Sequence, residues 1–556
     1  MLKKNPERVP YNNSVFKISV AIVALFALWG VISPQGMAAK ASFVANYIGS
    51  SFGWFYLASV AFFVAFCLYL AFSKYGNIKL GKEDEKPEFS FFAWISMLFA
   101  AGFGAGIVFW GVAEPLTHFA APPASNIEPQ SAEAARTAMN YSFFNWGLHQ
   151  WSVFTLVGMA LAYFQFRKKS KLLVSETLDG VSKKKMNSKL KKSINILAVV
   201  ATVTGVATSL GMGVLQINGG LTHVFSLPNN TWMQVGIVLV MFILFTLSAI
   251  TGVNKGIKIL SNLNMVLVIG FMLFFLFNGP TVFILQTFIV GIGDYLTNFV
   301  SMSFHMTPYT GDTWVQEWTV FYWAWVITWS PFVGSFVARI SRGRTIRQFV
   351  SGVLIVPPVI AFMWMAIFGG TGIYMDLFKN TALSTAVSQD VATAIFVFLE
   401  QFPLYGVLSV LMLVLIMIFL VTSADSTVYV LGIMTSDGNE NPTNSVKAVW
   451  AVLIAVITGV LIVSSGLEGL QSVALIAALP FTVVMLLMSV SLMKSLSKER
   501  FGAAVQSESQ EVDVDQMEEL GTTASYFEVS EPKAVCLEVP ETLLEKKTIL
   551  LDKNMS

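Results

Sequence analysis

Charged residues are scarce in this chain of 556 residues. They make up 12% of it, whereas 55% of the residues are hydrophobic and the mean hydropathy is +0.67. Charged residues account for about a quarter of an ordinary soluble domain. The composition therefore excludes a soluble globular protein and predicts a membrane protein whose partner is the lipid bilayer. The basic residues lie in loops that flank apolar segments, so we predict no nucleic-acid partner.

Cysteines and catalytic motifs are also few. The two cysteines, Cys67 in an apolar segment and Cys536 near the end, predict neither a disulfide nor a metal site. The chain lacks a hydrolase nucleophile elbow, a cluster of metal ligands and a Walker motif, so ATP cannot be its direct energy source. We therefore predict that the protein is not an enzyme and needs no cofactor.

Apolar segments of spanning length recur throughout the chain. Windows of roughly 19 residues predict an all-α polytopic fold of twelve transmembrane helices. The spans start near Phe16, Trp54, Phe91, Tyr141, Ile194, Met233, Ile257, Thr319, Phe349, Gly406, Val446 and Leu470. The first span has no small-residue cleavage site after it, so we interpret it as a span and not as a signal peptide.

Lysine and arginine fall in alternate loops. The segment from Arg167 to Lys192 holds ten basic residues, and the N-terminus and the loops after spans 2 and 8 are basic as well. The intervening loops are nearly free of basic residues. Because cytoplasmic loops hold lysine and arginine in excess, both termini are predicted to be cytoplasmic.

Composition also divides the chain into five segments. They are the N-terminus with spans 1 and 2 (1–89), spans 3 to 7 (90–278), a connecting segment (279–316), spans 8 to 12 (317–496) and a tail (497–556). Within the connecting segment, residues 282–300 are apolar but interrupted by Gly291, Gly293 and Asp294, which predicts an amphipathic helix at the outer surface. The tail is acidic and poor in aromatic residues, so we predict that it is disordered.

Aromatic residues concentrate in span 8. Five of the chain's 14 tryptophans lie between Trp314 and Phe332. Tyr322, Trp325 and Trp329 recur at i, i+3 and i+7, which places them on one helical face. Such a face can bind a permanent cation such as a trimethylammonium group, or it can serve helix packing. The pattern alone leaves both interpretations open.

Three alternating glycines, Gly102, Gly104 and Gly106, interrupt span 3. Glycines weaken a helix, and unwound backbone at membrane depth is tolerated where it lines a cavity. Its free amides could hold a carboxylate, and its free carbonyls could hold sodium. Close helix packing at Gly102 and Gly106 is the alternative.

Spans 4, 5 and 10 carry further candidate residues. Trp146 and Trp151 in span 4 could complete a cation cage, while His149 between them is either a ligand or a structural group. Thr204 and Thr208 share one face of span 5, and their hydroxyl groups could bind an alkali cation or bond back to their own helix.

Two carboxyl groups lie within apolar segments. Asp425 in span 10 stands beside several hydroxyl groups and is interpreted as functional, because a buried carboxyl group in a membrane span is costly. Glu114 precedes Pro115 and is interpreted as the structural end of a helix.

Together these segments resemble the betaine/carnitine/choline transporter family of bacteria. The most specific matches are GFGAG followed by GVAEPLTHF, WGLHQW in span 4, WTVFYWAWVITWSPFVGSF in span 8 and VTSADS in span 10. The resemblance covers roughly residues 14 to 500. It implies twelve helices in the bacterial cell membrane, with spans 3 to 12 forming the 5+5 inverted repeat of the leucine-transporter type, and it implies homotrimers.

The resemblance also implies site residues. The substrate cage would be formed by Trp146, Trp151, Phe154, Trp325 and Trp329, with Ala101 and Gly104 as further substrate-binding residues. One sodium site would be formed by Ala100, Phe103, Phe419, Thr422 and Ser423, and a second by Thr204, Thr208 and Phe332. Sodium would be the coupling ion.

Three positions bear on the substrate. Val326 and Phe154 stand where many relatives have tryptophan and tyrosine, so the cage lacks one ring and one hydroxyl group. Gly106 is the residue associated with glycine betaine carriers, whereas several choline carriers have an acidic residue there. Spans 5 and 10 contain no lysine or arginine that could replace the ion.

We therefore predict a symporter that imports a small quaternary ammonium osmoprotectant, glycine betaine, with sodium. A choline or carnitine carrier driven by protons or by exchange is the alternative within transporters. An osmosensor or receptor that signals through the tail is the alternative from another class.

Overall fold

Helices form the regular structure of the residues that the computed structural model describes. These are 13–123, 126–182, 186–251 and 254–499, without the side chains of 99–101 and 254–261. Residues 1–12 and the predicted tail from residue 500 onward lie outside the described part. The α-helices are α1 Ser14–Ile32, α2 Pro34–Phe72, α3 Phe91–Gly102, α4 Gly104–Ala120, α5 Ala132–Trp146, α6 Leu148–Ala162, α7 Ser188–Phe225, α8 Thr231–Thr251, α9 Asn254–Asn278, α10 Thr281–Ser303, α11 Phe321–Ile340, α12 Ile346–Leu354, α13 Val356–Lys379, α14 Leu383–Gln389, α15 Ala394–Leu399, α16 Tyr405–Thr435 and α17 Asn444–Leu496.

Most of these helices are long and apolar. Within the described residues, nine helical segments have the length and composition to cross a membrane. The predicted all-α fold class is therefore confirmed. Helix length does not establish the predicted count of twelve spans, because several predicted spans are broken or joined.

Spans 3 and 4 are each divided into two shorter helices. In span 3 the break lies at Phe103, and Gly104 adopts a left-handed φ of +50° that glycine tolerates without strain. In span 4 the break lies at Gly147, which has an extended backbone with φ −85° and ψ −152°. The sequence predicted the first break but not the second.

Predicted spans 11 and 12 follow each other in α17. The helix contains non-helical backbone at Ser465 and Gly466, which divides it into two parts. The predicted start of span 12 at Leu470 falls four residues after this kink.

The helices differ widely in burial. In an 18-residue apolar window of the segment that includes α11, 94% of the residues are buried, whereas the corresponding figure for a window of α10 is 17%. Helix α10 is exposed and is long and apolar enough to span a membrane, so its position at the outer surface stays a prediction. The packing partners of α11 are chiefly α6, α7 and α17, so the aromatic segment lies at the centre of the protein.

Two distant loops are joined by backbone hydrogen bonds. In one, Leu80 lies between α2 and α3; in the other, Arg344 lies between α11 and α12. The Leu80 amide donates to the Arg344 carbonyl at 2.8 Å, and the Gly343 amide donates to the Leu80 carbonyl at 2.8 Å. The Arg344 guanidinium also lies over the Trp94 ring, 4.0 Å from its centroid. We call this contact the loop bridge.

Candidate binding site

Three parallel rings line one face of α11. The centroids of Phe321 and Trp325 are 6.1 Å apart with an interplanar angle of 1°, and those of Trp325 and Trp329 are 6.2 Å apart with an angle of 11°. All three rings are buried. Trp325 and Trp329 were predicted from the sequence but Phe321 was not, although its position four residues before Trp325 places it on the same face.

Rings from span 4 meet this face edge-on. Trp146 ends α5 and contacts Trp325 at a centroid distance of 6.2 Å. On the other side of the Gly147 break, Phe154 contacts Trp329 at 5.9 Å, and Trp151 contacts Phe154 at 5.5 Å. The structure thus brings the five predicted cage residues into one buried group, which we call the ring cluster: Trp146, Trp151, Phe154, Trp325 and Trp329.

The three glycines of span 3 pack against the ring cluster. A Cβ atom at Gly102 would lie 2.2 Å from Cη2 of Trp151, and one at Gly106 would lie 2.4 Å from Cη2 of Trp325. A Cβ atom at Gly104 would lie 3.2 Å from Cη2 of Trp329. Each glycine therefore faces a different tryptophan. Gly102 and Gly106 allow close packing, and Gly104 adjoins the break at Phe103; ligand binding by the backbone at this break stays a prediction.

The indole N–H groups of the ring cluster fall into two classes. Trp146 donates to Glu114 Oε2 at 2.8 Å, and Trp325 donates to Ser209 Oγ at 3.1 Å. The N–H groups of Trp151 and Trp329 are buried and have no acceptor among the described residues. A buried donor without an acceptor is unfavourable, so these two groups are candidates to hold a polar group of a ligand.

Glu114 does not mark a helix end, contrary to the prediction. Helix α4 continues through Pro115 to Ala120, and Glu114 points into the protein with 0% exposure. Its carboxylate accepts hydrogen bonds from Trp146 and from Tyr322. A charged residue in an apolar span was the signal that identified Asp425, and it applied equally to Glu114.

His149 faces away from the ring cluster. Its Nε2 atom is 2.7 Å from Ser303 Oγ at the end of α10, and its ring stacks on Trp323 at 5.5 Å. These contacts favour the structural interpretation of His149.

Two of the segments predicted to form the first ion site lie close together. Phe103 stands at the break between α3 and α4, and a Cβ atom at the adjacent Gly104 would lie 3.6 Å from Ser423 Oγ on α16. The Thr422 hydroxyl donates to the Ile418 carbonyl at 2.8 Å within its own helix. Phe419 is buried on the same helix. The side chains of Ala100 and Ala101 lie outside the described part.

In the second predicted ion site, two hydroxyl groups point at carbonyl groups. Thr204 Oγ1 donates to the Ala201 carbonyl at 2.9 Å. Thr208 Oγ1 lies 2.9 Å from the Thr204 carbonyl and also 2.9 Å from the Leu470 carbonyl of α17. The Thr208 hydroxyl has one proton, so it can donate a full hydrogen bond to only one of these two carbonyl oxygens at a time. The sequence offered no signal for Leu470, because a backbone carbonyl is common to every residue.

The third residue of that set, Phe332, lies on α11 beside the ring cluster. Its ring centroid is 6.1 Å from that of Trp329. Helix α7 approaches α11 at Gly205, where a Cβ atom would lie 2.9 Å from the Trp329 backbone nitrogen. The threonine helix and the tryptophan helix are therefore in backbone contact.

Asp425 pairs with a different helix. The Ser248 hydroxyl on α8 donates to Asp425 Oδ2 at 2.6 Å. Among the described residues, the hydrogen-bond partner of Asp425 is therefore Ser248 of α8, and not one of the hydroxyl groups beside Asp425 in span 10.

The sequence matches one transporter family over most of its length. A sequence model described as BCCT, betaine/carnitine/choline family transporter, matches residues 14–501. An ectoine/hydroxyectoine transporter of Virgibacillus pantothenticus is 52% identical over 487 residues, which cover 88% of this chain and 97% of that protein. The glycine betaine transporter OpuD of Bacillus subtilis is 49% identical over 490 residues, covering 88% of this chain and 95% of that protein.

A solved structure is more distant. A Na+-coupled sialic acid symporter in a substrate-bound outward-open state has 13% sequence identity and a TM-score of 0.46, covering 80% of this chain and 86% of that chain. This likeness is too weak to bear on the fold.

Proposed function

Since the chain belongs to the betaine/carnitine/choline transporter family, whose members are transporters and not enzymes, we propose that it imports glycine betaine by sodium-driven symport. The solute would be carried across the bacterial cell membrane by a secondary transporter, without hydrolysis of ATP.

The ring cluster carries this proposal. Glycine betaine combines a trimethylammonium group, which offers no N–H donor, with a carboxylate. Ring faces attract such a cation by about 0.5 to 2 kcal/mol each, with the larger value where water is excluded. The buried N–H groups of Trp151 and Trp329 provide two donors for the carboxylate.

Ectoine is the second candidate solute. The ectoine/hydroxyectoine transporter is 52% identical to this chain, compared with 49% for OpuD. Ectoine also joins a delocalised cation to a carboxylate, so it presents the same two charges to the ring cluster. Its cationic ring carries N–H groups that need acceptors, whereas glycine betaine needs none.

Sodium is the proposed coupling ion. Sodium is a hard cation that prefers oxygen ligands. Hydroxyl and carbonyl groups around Thr208 and at the α3–α4 break provide such ligands. These groups adjoin the ring cluster through Trp329 and Gly104, so ion and solute would bind close together. Protons remain the alternative coupling ion.

We also propose twelve spans with cytoplasmic termini, an inverted repeat over spans 3 to 12, and a homotrimer. The breaks at Phe103 and Gly147 divide the proposed spans 3 and 4, and the kink at Gly466 lies between the proposed spans 11 and 12; these features support the proposed count.

Uptake into proteoliposomes tests the proposal. Radiolabelled glycine betaine should accumulate when an inward sodium gradient is imposed at fixed pH, and it should not accumulate with a proton gradient alone. Competition by ectoine, choline and carnitine then ranks the solutes. Uptake that is unchanged when potassium replaces sodium would reject sodium coupling, and stronger competition by ectoine than by glycine betaine itself would reassign the solute.

A further inference from the structure

A buried carboxylate lies directly behind the ring cluster. Glu114 Oε1 accepts from Asn145 Nδ2 at 2.8 Å, while Oε2 accepts from Trp146 Nε1 at 2.8 Å and from the Tyr322 hydroxyl. An ionised carboxylate only accepts hydrogen bonds. The three surrounding donors therefore fit Glu114 in its anionic form.

Two of the three donors belong to the rings of the site. Trp146 is a member of the ring cluster, and Tyr322 contacts Trp146 at 5.8 Å and Trp325 at 6.1 Å. Glu114 on α4 thus fixes one ring from α5 and one from α11. A ring whose N–H or O–H group is donated to an anion gains electron density, because hydrogen-bonded groups polarise one another. Its face then attracts a cation more strongly.

The negative charge of Glu114 has three hydrogen-bond donors but, among the described residues, one ion-pair partner. The ion-pair partner that the structure describes for Glu114 is His118, whose Nε2 atom is 3.4 Å from Oε1. Both side chains are fully buried, and the His118 ring packs against Trp314 and Trp318. A buried carboxylate without a strong cationic partner is unfavourable, and a cationic solute next to Trp146 would reduce that cost.

We propose that Glu114 is the counter-charge of the solute's cationic group. It acts through Trp146 and Tyr322, so it is a positioning residue that makes the site prefer a cationic head group to a neutral one of equal shape. This inference rests on the proposed function, because it requires a cationic solute in the ring cluster.

A purely structural role predicts a different result. If Glu114 only links α4 to α5 and α11, its loss lowers the thermal stability of the protein and weakens every ligand alike. If Glu114 supplies the counter-charge, its loss weakens the cation more than the neutral isostere. The ratio of the two affinities separates these roles.

The test compares E114Q with wild type by equilibrium binding to purified, folded protein. The ligands are glycine betaine and 3,3-dimethylbutanoate, in which a carbon replaces the ammonium nitrogen. We expect the preference for glycine betaine to fall roughly tenfold, a change within the range of one cation–π contact. E114D, which keeps the charge, should recover part of the preference.

E133Q is the matched control. Glu133 lies exposed in the first turn of α5, so the substitution removes the same charge away from the rings and should leave the preference unchanged. If E114Q does not yield folded protein, Y322F replaces it. This variant keeps the Tyr322 ring and the Glu114 charge but removes one of the two hydrogen bonds that join Glu114 to the rings, so we expect the preference for glycine betaine to fall by less than in E114Q.

The outcomes separate the inference from the proposed function. An unchanged preference in E114Q, or in Y322F where that variant is used, overturns the inference and leaves the proposed function intact. Equal binding of both ligands by wild type overturns the proposed solute class, and the inference with it.

Discussion

The ring cluster and the hydroxyl groups of α7 and α16 lie side by side but differ in how their contacts can be explained. Trp151 and Trp325 contact glycines, Gly102 and Gly106, that leave no room for a Cβ atom, and the N–H groups of Trp151 and Trp329 lack acceptors among the described residues. The hydroxyl groups of Thr204 and Thr422 donate to carbonyls of their own helices, as threonine does in ordinary helices. The contacts of the ring cluster are unusual and mark it as a candidate binding site. The hydroxyl groups of α7 and α16 make ordinary helix contacts, so a role for them depends on whether their oxygens can also bind an ion.

The largest effect is expected at the glycines. In Gly106→Ala, the new Cβ atom would lie 2.4 Å from Trp325, so the ring must move. Overpacking of this kind costs about 1 to 3 kcal/mol, which lowers solute affinity by up to about 100-fold if it falls on the bound state. Isothermal titration of the purified variant measures the change.

Gly293→Ala is the control for that substitution. Nothing lies within 4 Å of a Cβ atom at Gly293, so affinity should stay at the wild-type value. A Gly106→Ala variant that binds as well as wild type would show that Trp325 can move freely and that the ring cluster is not tightly packed.

The next effect concerns the rings themselves. Trp329→Leu keeps much of the apolar volume but removes the ring face, so affinity for the quaternary ammonium solute should fall by up to about 30-fold, from about 2 kcal/mol per contact. Trp364→Leu is the matched control, because Trp364 is equally buried but stacks on Phe368 in α13.

Both tryptophan variants should lose thermal stability through the cavity they create. Only Trp329→Leu should lose affinity as well. Equal affinity losses in the two variants would indicate that tryptophans of this protein act through packing.

In the second region the strongest effect is expected at Thr208. Its hydroxyl lies 2.9 Å from carbonyls of two different helices. Thr208→Val should therefore raise the sodium concentration for half-maximal uptake by roughly tenfold, the loss of about one ligand interaction. Thr202→Val is the control, because Thr202 donates only to Ala198 of its own helix in the described contacts.

The smallest effect is expected at Thr422. Its hydroxyl donates to the Ile418 carbonyl of the same helix. We therefore expect Thr422→Val to raise the half-maximal sodium concentration by roughly threefold, about half the free energy of the Thr208 change. A larger effect than that of Thr208→Val would reverse the order of the two hydroxyl groups and place the main ion contact on α16.

Periodicity and composition predicted much of the ring cluster but little of its surroundings. Trp325 and Trp329 follow from helical spacing, and the break at Gly104 follows from alternating glycines. Asn145 and Tyr322 meet Glu114 only because three helices converge. The Leu470 carbonyl carries no side-chain signal at all. The spacing of residues along one helix predicts which of them share a face. It does not predict which residues of other helices contact that face, because those contacts depend on the complete fold.

The loop bridge limits how the protein can move. A carrier must open to one side of the membrane and then to the other, and such changes are commonly rigid-body rotations of one group of helices against another. The loop bridge connects the loop after α11 to the loop after α2 through backbone hydrogen bonds. The ends of these two helices must therefore move together as long as the bonds remain. Rotation of the helix that bears Trp325 and Trp329 therefore carries α2 along or breaks the bridge first, and the opening rate depends on which of the two happens.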